Sequence, residues 1–390
     1  MQRRTLLKSA GATAMLSLTG AASAATSGVS SGAEANRLLV VLLRGGMDSL
    51  CAVPPVADPL LESLRPSLRI RQALRLDGSF GLHPALGQMH ALWQQNQLAI
   101  VHSTGFAYSG RSHFEGQDVM QSGVMKPYAS ATGWVGRAME MAGVDSGVAI
   151  AIPMPLILRG HENAATEYPN WMRSPQAALM TEVNVLWRND KALAPYGARL
   201  LEESLVTAAP RQMRGDEFAQ TRTPAALARL AGQRMSAPDG PRIGLIDMEG
   251  GFDTHASQGA DTGAHANKLA DLDGVIGAYR QAMGAMWART LVLTVTEFGR
   301  TVAENGTNGT DHGVGSCCFL AGGLVAKAKV LADWRGLAKD QLFEGRDLPA
   351  TIDASAVHAQ VLQKVFGLSS KQVASVLAFK PHPALSGLLA

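Results

Sequence analysis

The sequence predicts an α/β fold in which a mostly parallel β-sheet is covered by helices on both faces. Continuous apolar runs, as at residues 37–43 and 290–296, are typical of strands buried on both faces of a parallel sheet. Segments with helical spacing of apolar residues lie between such runs, the longest at residues 266–289. Alternation of buried strands with helices is the pattern of an α/β domain.

Each element follows from a local pattern. Runs rich in leucine, valine and isoleucine predict strands at residues 37–43, 98–102, 148–152, 156–158, 243–247, 290–296 and 315–320. Periodic apolar positions predict helices at about residues 85–96, 114–122, 198–208, 224–235, 266–289, 356–366 and 371–379. We expect a single domain over residues 37–390, with a helix-rich insertion at about 164–241.

Residues 1–24 are a predicted export signal and are excluded from the fold. Paired arginines at residues 3–4 precede an apolar stretch, and residues 22–24 form an Ala-Ser-Ala cleavage signal. This pattern predicts twin-arginine export to the periplasm or beyond, with the twin-arginine translocase as a transient partner. An ordinary secretory signal, or one retained as an anchor, is the alternative. Residues 25–36 are rich in serine, glycine and alanine, so we expect a flexible tether.

Charge and composition narrow the class of partner. The formal net charge is +3 and no basic stripe is present, which argues against a nucleic-acid partner. After the signal, no stretch reaches the ~18–20 apolar residues of a membrane span, so we expect no stable span after cleavage. The three cysteines cannot all pair within the chain. Cys317 and Cys318 are expected on opposite faces of a strand, and a bond from Cys51 to either stays open.

Residues suited to metal binding follow several predicted strands. They are Asp48, Asp253, His255, Glu297, Asp311 and His312. Because parallel strands place their carboxyl ends at one edge of the sheet, we expect these side chains to converge. Carboxylates with imidazoles suit zinc or manganese, as one or two ions. The alternatives are a turn or helix cap for Asp48 and a local hydrogen bond within the Asp253–His255 pair.

The loop at residues 108–114 offers a nucleophile. Ser112 is expected at the start of a helix, where backbone N–H groups and the helix dipole favour an anion. A serine beside a metal ion is able to attack phosphorus or sulfur, and Arg111 or Arg300 would bind the anion through charge-assisted hydrogen bonds. The simpler interpretation is that Ser112 only caps the helix.

Taken together, these segments resemble the exported bacterial family known as domain of unknown function 1501. Besides the leader, the matching segments are residues 43–48, 80–84, 109–114, 251–255, 296–300, 309–313, 333–334 and 343–347. That family is similar to the alkaline phosphatase and sulfatase superfamily in its order of elements. The resemblance implies a three-layer α/β/α sandwich with two metal ions at the strand ends. It implies Ser112 as the nucleophile and, as metal ligands, Asp48, Asp253, His255, Glu297 and His312.

Two departures from the superfamily pattern are visible. The spacing at residues 253–255 is Asp-x-His rather than Asp-x-x-x-His, and Glu297-Phe298 stands where the superfamily has Asp-His. Phe298 cannot bind a metal, so one imidazole is missing unless Asp311 or His113 replaces it. One ion, an altered pair of ions or no ion therefore stay open.

The leading hypothesis is a periplasmic metal-dependent hydrolase of phosphate or sulfate esters, acting on a small anionic ester or an envelope polysaccharide. The alternative is a non-catalytic exported binding or assembly protein that keeps the fold, and with it a structural metal or none.

Overall fold

The computed structural model describes residues 35–151, 153–169, 177–191, 193–194, 197 and 219–390. The predicted signal, nearly all of the tether and the predicted helix at 198–208 lie outside these residues. The division into signal, tether and single domain therefore stays a prediction. Among the described helices, none is both long and apolar enough to cross a bilayer.

Within the described residues, the fold is built on one nine-stranded sheet and a separate two-stranded ribbon. In chain order the strands are β1 (Arg37–Leu43), β2 (Leu74–Arg75), β3 (Gly81–Leu82), β4 (Leu98–Gly105), β5 (Gly147–Ile150), β6 (Ala164–Thr166), β7 (Ile243–Met248), β8 (Thr290–Val295), β9 (Ser316–Ala321), β10 (Lys329–Leu331) and β11 (Ile352–Asp353). The large sheet has the order β10-β4-β9-β8-β1-β7-β5-β6, with β11 also paired to β4, while β2 pairs with β3. Only β9 runs against its neighbours, so the predicted mostly parallel sheet is confirmed.

Helices cover both faces of this sheet. The described α-helices are α1 (Ser49–Ala52), α2 (Leu61–Leu64), α3 (Gly87–Gln94), α4 (His113–Ser122), α5 (Trp134–Ala142), α6 (Ala177–Trp187), α7 (Pro224–Ser236), α8 (Ala264–Met283), α9 (Ala354–Phe366) and α10 (Ser370–Val376). Local signals set several boundaries. Thr223 caps α7 just before a proline, Ser369 forms a capping box at α10, and Gly367 ends α9 in the left-handed conformation.

The two faces of the sheet carry two separate hydrophobic cores. Helices α4, α5, α9 and α10 pack on one face, and α3, α7 and α8 pack on the other. In β1 the even-numbered leucine and valine residues enter the first core and the odd-numbered ones enter the second, as the two-residue period of a strand requires. The predicted three-layer α/β/α sandwich is therefore confirmed.

Some local predictions differ from the structure. The predicted strand at residues 156–158 is wrong, because Leu156–Leu158 forms a 3₁₀ helix closed by a bond from Leu158 N to the Pro155 carbonyl (3.2 Å). The long predicted helix 266–289 changes to 3₁₀ at Gly284, whose φ of 52° interrupts the regular α-helix.

The three cysteines are buried and free. Cys317 and Cys318 enter opposite cores, as predicted from their adjacent positions in a strand. The structure contains no bond from Cys51 to either of them.

The loop after β8 is held so closely against the chain before β9 that only glycine fits at position 299. A Cβ atom on Gly299 would lie 1.7 Å from the carbonyl oxygen of Gly315, whereas one on Gly306, in the same loop, would meet nothing within 4 Å. We expect Gly299→Ala to lower the free energy of unfolding by about 1–3 kcal/mol or more. Gly306→Ala is the matched control and should change it by less than ~0.5 kcal/mol. Equal urea-unfolding curves for the two variants would contradict this packing.

Candidate functional site

The site forms where neighbouring parallel strands end. Strands β8, β1 and β7 are adjacent and parallel, so the loops that follow them meet at one edge of the sheet. Strand β4 is antiparallel to β9, which is antiparallel to β8, so β4 points the same way as the other three. Its following loop leads into α4 at this edge. The predicted convergence of these loops is thus provided by the sheet topology.

Asp253 lies at the centre of a cluster that it forms with His113, His255 and His312. Its Oδ1 accepts a hydrogen bond from Arg300 Nη2 (2.6 Å), and it lies 3.0 Å from His255 Nε2 and 3.1 Å from His312 Nε2. Its Oδ2 lies 3.3 Å from His113 Nε2, and the two Nε2 atoms of His255 and His312 are 2.9 Å apart. Three imidazoles therefore direct the same nitrogen toward one carboxylate, and one atom from each of His113, Asp253 and His312 falls within 4.8 Å of the others.

His113 is aimed by a buried carboxylate. Its Nδ1 donates to Glu297 Oε1 (2.8 Å), which also accepts from Gly45 N (2.9 Å) and Gln117 Nε2 (3.2 Å). Because Nδ1 is the donor, Nε2 carries the lone pair of the neutral ring. That Nε2 is buried and makes no hydrogen bond. The hydrogen bond that His113 donates to Glu297 raises the pKa of His113.

The other two imidazoles are fixed in the same manner. His255 Nδ1 lies 3.2 Å from Asp311 Oδ1, and His312 Nδ1 lies 2.8 Å from the backbone carbonyl oxygen of Arg111. A carboxylate and a carbonyl only accept, so Nδ1 is the protonated nitrogen in both rings. Both Nε2 atoms are left for the centre, which is the arrangement found around metal-binding histidines.

Arg300 favours the ionised form of the Asp253 carboxyl group. Burial alone would raise the pKa of its carboxyl group, but the hydrogen bond and charge of Arg300 outweigh that effect and lower the pKa to about 2. The pKa of Glu297 is also lowered. Burial would raise it, but hydrogen bonds outweigh burial, and the bond donated by His113 is the strongest of these hydrogen bonds. Both carboxylates are therefore ionised at neutral pH. Burial lowers the pKa of His312, which favours its neutral form.

Glu297 and Asp311 were predicted to bind metal directly, and the structure places them one layer further out. Glu297 is 1 % exposed, and its Oε1 is occupied by the three donors described above. Asp311 accepts from His255 and from Asn305 Nδ2 (3.1 Å). Each carboxylate thus orients a histidine and does not face the central cluster.

Asp48 was also predicted as a ligand, and its position does not suit that role. Its Oδ1 accepts from Leu50 N (3.1 Å), while its Oδ2 accepts from Arg65 Nη1 and Gln258 Nε2 (both 2.6 Å). The carboxylate is 1 % exposed and forms a buried ion pair with Arg65. Its Oδ1 caps helix α1, which agrees with the alternative interpretation of Asp48 as a helix cap.

Gln258 links this buried pair to the site above it. Its Oε1 accepts from the hydroxyl groups of Thr254 (2.8 Å) and Thr310 (2.7 Å). Thr254 lies between Asp253 and His255, and Thr310 lies just before Asp311 and His312. The Asp48 carboxylate accepts from the amide nitrogen of Gln258, and this fixes the orientation of the amide. The two site loops are therefore joined beneath the cluster.

Arg300 was predicted to bind a substrate anion, but its guanidinium is buried and fully engaged. Nε donates to the Gly46 carbonyl (2.7 Å), Nη1 to the Thr310 carbonyl (3.1 Å), and Nη2 to the carbonyls of Gly45 and Phe252 as well as to Asp253. The side chain has no exposed surface. Arg300 therefore links the loops of the site through buried hydrogen bonds.

Arg111 and Ser112 lie beside the cluster. Arg111 has a positive φ of 56°, unusual for a residue with a Cβ, and its Nε and Nη2 face Asp347 and Glu344. A two-pronged contact with an anion through those nitrogens is therefore not available. Ser112 occupies the position before α4, yet its hydroxyl makes no capping hydrogen bond to the helix. The simpler interpretation of Ser112 as a cap is not supported.

His113 and Phe298 were the least certain positions in the sequence. The ring of Phe298 packs against the rings of His113 and His312, with centroids 4.9 Å apart in each case. His113 brings an imidazole into the cluster, whereas Phe298 has none to contribute. Its place next to Ser112 in a matching segment was the only signal for it. The spacing of the sequence motifs gave no sign of Arg65 or Gln258. Both contact Asp48 through buried side chains, from positions 17 and 210 residues away in the chain.

We expect Asp48→Asn to destabilise the fold without removing metal. Breaking a buried ion pair costs about 3–5 kcal/mol. Burial would raise the pKa of Asp48, but Arg65 outweighs it and holds the pKa well below its usual range. The stabilisation from this charge is thus fully present above the unfolded pKa of about 3.9, begins to decline below it, and is lost completely only as pH falls through the lower pKa of the folded state.

The difference in unfolding free energy between the native protein and Asp48→Asn should accordingly be largest at neutral pH and shrink below about pH 4. Urea unfolding from pH 7 to pH 3 measures it, and Asp239→Asn, at an exposed position, is the control. A pH-independent difference, or loss of bound metal in Asp48→Asn, would contradict this role.

Comparison with solved structures finds distant likenesses. The murine ectonucleotide pyrophosphatase/phosphodiesterase 5 in complex with AMP is 11 % identical, with 91 % of this chain and 100 % of that one covered and a TM-score of 0.45. The PsFucS1 sulfatase from Pseudoalteromonas sp. is 11 % identical, with coverages of 91 % and 72 % and a TM-score of 0.41. The C-terminal periplasmic domain of EcEptC from Escherichia coli, in complex with Zn, is 9 % identical, with coverages of 75 % and 74 % and a TM-score of 0.39. Scores at this level carry no conclusion about activity.

Comparison with curated proteins finds no match. The family described as "Protein of unknown function (DUF1501)" matches residues 35–377. The match covers most of the chain and includes every residue of the cluster. The predicted membership is confirmed, and the chain belongs to the DUF1501 family.

Proposed function

We propose that this protein is a metal-dependent hydrolase of phosphate or sulfate esters. The observation that carries the proposal is the convergence of three histidine Nε2 atoms on the Asp253 carboxylate, each ring fixed through its Nδ1. Three imidazole nitrogens and a carboxylate oxygen form a ligand set typical of zinc, and manganese also accepts such ligands. The residues that would hold the ion are His113, His255, His312 and Asp253.

The chemistry of these donors fits a cation. Because Nδ1 faces an acceptor in both rings, the Nε2 atoms of His255 and His312 face each other across 2.9 Å, next to Asp253 Oδ1. Such a contact is repulsive unless a proton or a cation lies among the three atoms. The buried, unpartnered Nε2 of His113 also lacks a positive partner. Both facts support a divalent ion here.

Ser112 is the proposed nucleophile. It lies between Arg111, whose carbonyl holds His312, and His113. It also opens α4, where free N–H groups and the helix dipole favour an anion. A bound ion of this class would polarise an ester oxygen and lower the pKa of the attacking group. The family's similarity to the alkaline phosphatase and sulfatase superfamily in its order of elements favours attack at phosphorus or sulfur.

The predicted export signal would place this activity in the periplasm or outside the cell, on a small anionic ester or an envelope polysaccharide. A non-catalytic binding protein was the alternative, and it was favoured by a missing imidazole. His113 brings an imidazole into the cluster, which weakens that argument for a binder.

We expect the purified protein to contain stoichiometric zinc or manganese. His255→Ala and His312→Ala should lose most of it because each removes one ligand. Glu297→Gln should keep every ligand but weaken metal affinity about 10–100-fold, because it disturbs the bond that orients His113. Elemental analysis after dialysis measures the content.

The control for these variants is His90→Ala, since His90 lies apart from the cluster and contacts the Arg75 carbonyl. Native protein that binds neither metal would contradict the proposed centre.

We expect Ser112→Ala to lower turnover of phosphate or sulfate esters by on the order of 10⁴-fold or more, as removal of a nucleophile does in other hydrolases. Metal content should stay intact, because Ser112 is not among the proposed ligands. Ser109→Ala, an exposed serine of the same loop, is the matched control. Unchanged turnover in Ser112→Ala would remove Ser112 from the mechanism.

A further inference from the structure

The segment Phe343–Asp347 forms a tight turn beside the cluster, and the proposed mechanism does not yet use it. Phe343 N donates to the Asp347 carbonyl (2.9 Å), and Asp347 N donates to the Phe343 carbonyl (3.0 Å). Glu344 and Gly345, at the tip, have φ values of 53° and 66°. A residue with a Cβ held in the left-handed region is a sign of local strain, which concentrates at functional sites.

A buried carboxylate in this turn orients two arginines. Asp347 has no exposed side-chain surface. Its Oδ2 accepts from Arg111 Nε (2.8 Å) and Nη2 (2.7 Å), and its Oδ1 accepts from Arg346 Nε (2.7 Å). Because Asp347 is enclosed and accepts from both, the two guanidinium groups are held in fixed positions relative to each other.

Both arginines also contact His312 of the cluster. The backbone carbonyl of Arg111 accepts from His312 Nδ1 (2.8 Å), and Arg346 Nη2 donates to the backbone carbonyl of His312 (2.5 Å). The arginine pair is therefore tied through His312 to the proposed metal centre.

Each of these arginines keeps an unused donor. Within the part of the chain that the structure describes, Nη1 of Arg111 and Nη1 of Arg346 make no hydrogen bond. The side chains are 24 % and 46 % exposed, so both arginines reach the protein surface. Arg300 differs in both respects, since it is buried and uses all three of its nitrogens.

One acidic side chain competes with a ligand here. Glu344 Oε2 accepts from Arg111 Nη2 (2.5 Å), and its side chain is 59 % exposed. An exposed ion pair of this kind contributes only about 0–1 kcal/mol. Glu344 can therefore turn away from the arginine at little cost when another anion binds.

We infer that Arg346 and Arg111, oriented by Asp347, bind the non-bridging oxygens of a tetrahedral oxyanion, the phosphate or sulfate group of the substrate. This inference rests on the proposed ester hydrolase and adds its anion-recognition residues. A guanidinium group suits such an oxygen because its planar donors match the geometry of phosphate and sulfate. Arg346 takes the part that the sequence had suggested for Arg300.

The test is calorimetric titration of inorganic phosphate and, separately, inorganic sulfate into the metal-loaded protein. Arg346→Gln should weaken binding of the preferred anion about 10–100-fold, with metal content unchanged. Arg346→Lys should fall between Arg346→Gln and the native protein, because it keeps the charge but loses the planar donors. The matched control is Arg335→Gln, an exposed arginine with one carboxylate partner, Asp333.

Glu344→Gln provides a change in the opposite direction. It removes the competing carboxylate, so binding should tighten a few-fold.

Equal affinity in Arg346→Gln and the native protein would overturn the inference, and so would a native protein that binds neither anion. Whichever anion binds more tightly identifies a phosphate or a sulfate ester. Oxyanion binding that depends on Arg346, in a protein that cleaves no ester, would reject the proposed function and leave the arginine pair in place.

Discussion

The structure of this site depends on the buried guanidinium of Arg300. It donates to backbone carbonyls in the loops after β1, β7 and β8, and to the Asp253 carboxylate. A buried cation is costly unless each of its donors finds an acceptor and a counter-charge lies close. The three loops can satisfy Arg300 only by meeting at one point, and Asp253 must then face the cluster. One enclosed charge thus fixes the loops and the central carboxylate together.

The imidazoles are likewise oriented by hydrogen bonds, which are made by the nitrogen of each ring that faces away from the centre. Glu297, Asp311 and the Arg111 carbonyl each accept from one Nδ1, so the three Nε2 atoms face inward before any ligand arrives. Such preorganisation means that little further ordering is needed when a ligand binds. Beneath the cluster, the Gln258 amide joins the two loops through their threonine hydroxyls.

Much of the architecture was predictable because it depends on patterns that repeat along the chain. The apolar runs that became β1, β4, β7 and β8 identified the parallel sheet, and the shared direction of these strands brought the loops to one edge. The short strands β6, β10 and β11 were missed, since two or three residues are too few for any periodicity. The segment at 156–158 was misassigned because a buried apolar triplet looks the same in a strand as in a 3₁₀ turn.

By itself, the sequence determined the family, the layered fold and the group of loops that carry the polar residues, since these depend on apolar periodicity and on motifs contiguous in the chain. Only the tertiary structure decided which of those polar groups face the centre. Asp48, Glu297 and Asp253 are all carboxylates after strands, yet among these three only Asp253 faces the Nε2 atoms of the imidazoles. The physical reason is that a ligand role depends on the direction of lone pairs and on competing donors such as Arg65 and Gly45 N. Those donors lie 17 and 252 residues away from the carboxylates they occupy.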